Sequence, residues 1–433
     1  MITLILIKNG YLLEPESGYE GEADLLIEGE RIRKLFYGGG TDPAMIVDDE
    51  LQVIDAEGLC VAPGLVDVHV HFREPGFEYK EDIASGAEAA ARGGYTTVVL
   101  MANTKPLVDN AETLQYVIQK AEETGIHVRT CAAVSKNFAG KEFVEYEEML
   151  SLGAVGFTDD GMPLMDEAFL EEAMKKIKAF NVPISLHEEN PALISENGIN
   201  RGKASEHFHI GGSPREAEIS MVERDIELAK KTGAILNIQH ISCKETVEMI
   251  RKAKAQGYDN IHGEATPHHF TLTEEAVITH GTMAKMNPPL RQEADRQAII
   301  KALKEGVLEI IATDHAPHSK EEKERELTKA PSGILGLETA LSLGIGELVE
   351  KNGMPLLDLI HRMSYFPAKM YHLEAGYLKE QGPADIILFD PNELWRVEKF
   401  ASKSQNSPFL GKMMLGKVKL TICKGKIVYQ EQE

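Results

Sequence analysis

The sequence predicts an α/β fold, a (β/α)8 TIM barrel with a small β-sandwich domain formed by both termini. Three observations predict it. Eight apolar runs rich in β-branched residues recur from Leu65 onward, and helix-like segments separate them. About 60 residues at each end of the chain show strand alternation and turn residues but no helical stretch.

The runs are LVDVHVHF (65–72), TTVVLMAN (96–103), HVRTCAAVS (127–135), AVGFTDDG (154–161), VPISLHEE (182–189), ILNIQHIS (235–242), IHGEATPHHF (261–270) and LEIIATDHAP (308–317). Eight parallel strands alternating with helices is the number that closes a barrel. The intervening segments EDIASGAEAAARGG and DEAFLEEAMKKIKAF combine alanine, leucine and charge in helical proportion and end near Gly or Asn. The terminal segments ITLILIKNG, ADLLIEGERIRKLF, LQVIDAEG, ADIILFDPN and KVKLTICKGKIVYQ read as strands, with DPN and KGK as turns. The expected division is a composite antiparallel β-domain from residues 1–60 and 375–433, and a catalytic barrel from 61–374.

The 433 residues, 43% of them hydrophobic, suffice for a large packed core, and the net charge of −23 argues against a nucleic-acid or anionic-membrane partner. An anionic small substrate would need a locally placed cation. Cys60, Cys131, Cys243 and Cys423 lie far apart and form no CxxC pair, so they read as small buried hydrophobes in a reducing cytoplasm. The apolar start MITLILIKNG is too short to span a bilayer and lacks a basic start or a small-residue cleavage site. With no uninterrupted apolar stretch of about 18 residues, the chain is expected to be soluble.

In such a barrel the chemistry sits at the C-terminal strand ends. His69 and His71 at the end of the first run share one strand face by the period of two. Asp159 and Asp160 end the fourth, His187 the fifth, His240 the sixth, His268 and His269 the seventh, and Asp314 and His315 the eighth. Imidazoles and carboxylates at one level suit divalent metal of the zinc type. The groups are too many for one four-coordinate ion, so two ions sharing a carboxylate are expected. At a spacing of about 3.5–4 Å they would activate a bridging water and polarise a carbonyl, which makes the reaction hydrolytic.

The segments DVHVHFREPG, FTDDG, LHEE, IQHIS, TPHHF, MNPPLR and ATDHAPH together resemble the amidohydrolase superfamily and, within it, the type I dihydroorotase group, over essentially the whole chain and in order. The resemblance implies that His69, His71 and Asp314 hold one metal, and His187 and His240 the second. Much of the superfamily bridges its metals with a carboxylated lysine, but no lysine occurs between Lys141 and Lys175, so FTDDG is similar to the branch that uses an aspartate. The family register selects Asp160, with a hydroxide as the second bridge; Asp159 is the structural alternative. Asp314 would double as general base and acid.

The implied reaction is reversible hydrolysis of dihydroorotate to N-carbamoyl-L-aspartate in pyrimidine biosynthesis. Arg73 lies two residues past His71, hence on the same strand face, and its planar fork suits the substrate carboxylate. Asn103 and His318 match the family's other carboxylate contacts, Asn287 a ring contact, and Ser332 and Gly333 backbone contacts; His71 would touch substrate as well as metal. His268 and His269 read as packing or supporting residues, and His315, following Asp314, should point away from the centre. His207 and His209, although also spaced as His-x-His, read as loop or rim residues before a helix start. The charged segment 318–333 reads as a solvated face or a lid. The resemblance also implies a homodimer and association with aspartate carbamoyltransferase. Competing readings are a hydantoinase/dihydropyrimidinase or allantoinase, whose substrates lack this carboxylate, and an inactive scaffold.

Overall fold

Residues 65–70 begin a parallel arrangement that runs around a closed ring. The computed structural model describes residues 4–46 and 51–432, so the tips of the first terminal segment and of the loop before LQVIDAEG lie outside the described residues. Strands Leu65–Val70, Tyr95–Leu100 and His127–Thr130 form one parallel sheet, and Ile184–Leu186, Leu236–Ile238, Ile261–Ala265 and Ile310–Ile311 form another. Two seams join them. Phe157 bridges Ala132 on one side and Ile184 on the other, and Val70 bridges His315, each in parallel sense. The chain therefore closes the barrel in the order in which its eight runs occur.

The fourth run is the exception in form, since AVGFTDDG supplies bridges at Phe157 but no extended strand. The cause is Asp159, whose Oδ1 accepts the backbone N–H groups of Val134 at 2.7 Å and Ser135 at 3.1 Å, replacing ladder partners with a side chain. The seventh run also ends early. Its strand stops at Ala265, and Thr266 caps a short helix, Pro267–Thr271, with its Oγ1 accepting from the His269 N–H at 3.3 Å. Thr followed by Pro is a helix start, so His268 and His269 sit on a helical turn and not at a strand end.

The outer helices begin where short polar residues can cap them. Asp82 caps Ile83–Arg92, Asn110 caps Ala111–Glu122 and Asp166 caps Glu167–Lys178, each accepting a backbone N–H from the first turn. Their apolar faces bury alanines and leucines such as Ala90, Leu114 and Leu170 against the barrel.

Strands from both chain ends join one eight-stranded sheet with its own core, which includes Ile5, Leu25, Ile27, Ile386 and Ile422. The sheet is not wholly antiparallel as expected. Gln52–Asp55 and Cys60–Pro63 run parallel to Leu4–Glu14, because the chain returns beside its first strand only after the antiparallel excursion of Tyr19–Glu28 and Arg31–Tyr37. Cys60–Pro63 passes straight into the first barrel strand through Gly64, where a Cβ would meet the Thr96 side chain at 2.0 Å. Only glycine permits this close approach. Among the described residues, no helix is long and apolar enough to cross a membrane.

Candidate metal centre

His69 lies on the first barrel strand with its ring fully buried, and its Nδ1 sits 2.9 Å from Glu264 Oε2. A carboxylate only accepts, so Nδ1 carries the proton and Nε2 presents a lone pair. His71 is arranged alike. Its Nδ1 is 3.0 Å from Asn103 Oδ1, and that amide is oriented by its Nδ2 donating to Asp160 Oδ2 at 2.8 Å. Its Nε2 therefore also presents a lone pair.

Both lone pairs face the same two carboxylates. His69 Nε2 is 3.5 Å from Asp160 Oδ1 and 3.6 Å from Asp314 Oδ1; His71 Nε2 is 3.6 Å from Asp160 Oδ2 and 3.0 Å from Asp314 Oδ1. Lone pairs aimed at anions need a cation or a proton between them. Donors on a tetrahedral ion with bonds of about 2.0–2.2 Å lie roughly 3.3–3.6 Å apart, as three of these four pairs do. His69 Nε2 is moreover buried without a hydrogen bond among the described residues.

A second cluster shares Asp160. His187 Nδ1 and His240 Nε2 are 2.9 Å apart and lie 3.9 and 4.0 Å from Asp160 Oδ1. The sets His69, His71, Asp160 and Asp160, His187, His240 each gather their ligand atoms within 4.8 Å. The donor set of four imidazoles and two carboxylates fits a pair of divalent ions of the zinc type. Asp159 faces away, toward Val134 and Ser135, and burial pushes its carboxyl up to about 6.

The electrostatics are reciprocal. Burial would raise the Asp160 and Asp314 carboxyls, but His69, His71 and their imidazole neighbours outweigh it and hold both well below the usual range. Burial would lower His69, yet Glu264 and Asp160 hold it well above the ordinary imidazole value, so without an ion it keeps a proton. A bound divalent ion would take the place of that proton. Burial together with His187 and His69 drives His240 far down, leaving it neutral and ready to donate its lone pair.

Arg73 does not sit on the strand face, because that strand ends at Val70 and Arg73 adopts φ 65° in the turn beyond. The loop nonetheless sets it beside the centre's rim, where Nε donates to Pro317 O at 3.1 Å and Nη2 lies 3.4 Å from His318 Nε2. His240 and Asp314 also have positive φ, 33° and 48°, where the chain turns out of the barrel. Such conformations cost on the order of 1–3 kcal/mol each and persist where surrounding structure enforces them.

Burial, with the charges of Arg73 and Lys80, pushes His318 down to about 3, so it is neutral, and it donates Nε2–H to Ser332 O at 2.8 Å. Asn287 Nδ2 lies 3.4 Å from His187 Nε2, and its Oδ1 is buried without a partner among the described residues. Asn103 bridges His71 and Asp160, both ligand candidates, so its amide positions them. Gly333 is engaged within the protein: its N–H donates to Lys285 O at 2.8 Å, and its carbonyl accepts from Lys323 Nζ and Asn406 Nδ2. His315 turns outward to accept from Gly336 N–H, and His207 and His209 are exposed.

Two contributors escaped the sequence reading. Glu264 orients His69, and a lone carboxylate inside the apolar run IHGEA was its only signal. Asn406 ties the rim loops together by accepting from His318 N–H and donating to Ala316 O and Gly333 O. It comes from a distant C-terminal segment and carried no signal.

Residues 60–428 match the amidohydrolase family. The chain is 54% identical over 426 residues to the dihydroorotase of Clostridioides difficile, covering 98% of this chain and 100% of that protein. It is 50% identical to the dihydroorotase of Clostridium acetobutylicum, covering 99% and 100%. Among solved structures it resembles the L-hydantoinase (dihydropyrimidinase) of Arthrobacter aurescens with a TM-score of 0.86, at 25% identity, over 100% of this chain and 97% of that one.

Proposed function

This chain belongs to the amidohydrolase family, among its dihydroorotases, and from that premise we propose that it hydrolyses dihydroorotate reversibly to N-carbamoyl-L-aspartate on two zinc-type ions sharing Asp160. The observation that carries the metal reading is the pair of imidazole lone pairs, His69 Nε2 and His71 Nε2, aimed at Asp160 and Asp314. His69, His71 and Asp314 would hold one ion, His187 and His240 the other. Bound ions would supply an acidified water and Lewis-acid polarisation of the scissile ring carbonyl.

The chain's own residues do the rest. Asp314 takes the proton of the attacking water on a carboxylate oxygen as the C–O bond forms, then returns it to the ring nitrogen as the C–N bond breaks. Burial would raise its carboxyl, but the neighbouring imidazoles outweigh it and keep Asp314 ionised at neutral pH. Arg73 has one donor fixed on Pro317 O, which locks the fork and leaves its terminal NH2 groups for the substrate carboxylate. Closure of N-carbamoyl-aspartate runs the same transfers in reverse.

The substrate reading separates this chain from the hydantoinases that share its fold, because Arg73 supplies the local cation that an anionic ring needs in a protein of net charge −23. The deciding experiment is turnover of dihydroorotate and of N-carbamoyl-aspartate by metal-replete protein, with hydantoin and allantoin as controls. Turnover of the first pair alone is expected; turnover of hydantoin without dihydroorotate overturns the reading. A cytoplasmic homodimer, and association with aspartate carbamoyltransferase, complete the proposal and are checked by light scattering with and without that enzyme.

A further inference from the structure

We propose that His127, Asp385 and Cys423 form a separate site for a thiophilic divalent cation of the zinc type, at the barrel base where the terminal sheet docks. His127 opens the barrel strand His127–Thr130, Asp385 immediately precedes the sheet strand Ile386–Arg396, and Cys423 ends the sheet strand Met413–Cys423. One ligand atom of each lies within 4.8 Å of the other two.

Asp385 is the telling member. Its side chain is 3% exposed; Oδ1 accepts the Lys424 N–H at 2.8 Å, while Oδ2 accepts no hydrogen bond among the described residues. His127 Nε2 lies only 3.0 Å from that oxygen, but without the alignment of a hydrogen bond. A buried carboxylate oxygen without a donor is costly and calls for an explanation. A cation held by both groups supplies one. Cys423 Sγ lies 3.6 Å from Thr96 O and within reach of the Asp385 carboxyl.

The nearby Arg31 and Lys424 have their own partners: Arg31 is paired with Glu374, and Lys424 Nζ donates to Ile126 O at 3.2 Å. Thiolate, imidazole and carboxylate together select a zinc-type ion over magnesium or calcium. An adjoining cavity of about 110 Å³, lined in part by Thr97, His127 and Asp385, has room for water as a fourth ligand. The placement is rigid. The Gly64 N–H donates to Asp385 O at 2.9 Å at the crossing from sheet to barrel. An ion here would tie the two together.

The test uses full-length protein reconstituted with cobalt(II). The centre at the barrel mouth contains no cysteine, so a thiolate-to-cobalt charge-transfer band in the near ultraviolet reports the base site alone. Such a band is expected, with about three metal equivalents per chain. In Cys423→Ser the band should vanish and the content fall by about one equivalent, with dihydroorotate turnover unchanged. His127→Gln should shift or abolish the same band, which serves if the serine variant does not fold. A saturated wild-type protein without the band, or a band that survives Cys423→Ser, overturns the proposal.

Discussion

The groups around Asp160 and the groups around Arg73 are built in different ways. His69 is on a barrel strand, and His71, Asp160, His187, His240 and Asp314 follow within a few residues of strands or bridges, so the sheet fixes their level. Arg73, His318, Ser332 and Asn287 lie on loops that lean on one another through Pro317 O, Ser332 O and Asn406. In the proposed reading the first arrangement would serve metal chemistry and the second would decide which ring is admitted, since loops can change without disturbing the barrel.

The sharpest break of the strand-borne set is Asp160→Asn. Among the described residues it removes the one carboxylate that faces all four imidazoles, and metal content is expected to fall by more than one equivalent from the wild-type value, with turnover lost by roughly 10³-fold or more. Elemental analysis alongside the assay checks it; metal content equal to that of the wild type would show that Asp160 is not shared. Arg73→Met tests the loop-borne set. Loss of a charge-assisted carboxylate contact of about 1.5–3 kcal/mol predicts KM for dihydroorotate raised about 10- to 150-fold, with metal content unchanged. An unchanged KM would sink the carboxylate assignment.

A smaller effect separates ligand from support. Glu264→Gln keeps the shape of the residue but weakens the acceptor at His69 Nδ1, so metal affinity should fall about 10- to 100-fold while KM at saturating metal stays put. Competition with a chelator measures it. Equal chelator sensitivity in both proteins would reduce Glu264 to packing.

The same contrast explains what was legible in the sequence. The period of two placed His69 and His71 together, and the strand-end rule collected Asp160, His187, His240 and Asp314, because local backbone geometry fixes those directions. The reasoning by period failed at Arg73, where the strand had already ended and a left-handed residue turned the chain. It failed again at the seventh run, where Thr266 and Pro267 start a helix inside an apolar stretch. The adjacent acids 159 and 160 could be told apart only by register, and the structure separates them by giving Asp159 to the Val134 and Ser135 amides. Glu264 and Asn406 act on residues far away in sequence, and no local pattern encodes such contacts. The eight runs were readable as barrel strands, although the fourth closes the ring through one bridging residue.

The rim loop itself offers the mildest test, through pH. Segment 318–333 was open to reading as a solvated face, yet Lys323 is 1% exposed, with Nζ donating to Pro331 O at 2.9 Å and Gly333 O at 3.0 Å. Lys285 Nζ adds bonds to Leu327 O and Ala330 O, so two lysines tie the loop from beneath. Burial, and then the Lys285 charge, push Lys323 down to about 7 from the ordinary 10.5. Between those values the unfolded chain binds more protons than the folded one, so this residue makes stability rise with pH from about 7 to 10.5 and fall as pH drops through 7. Lys323→Met removes the titrating group while keeping an unbranched chain in the buried space. The urea midpoint of the wild type should therefore gain more than that of the variant between pH 7.5 and 9.5, roughly the neutral-to-alkaline window in which the two protonation states differ. Parallel midpoints in the two proteins would show that Lys323 keeps its proton in the fold, and that its two carbonyl partners hold an ammonium ion.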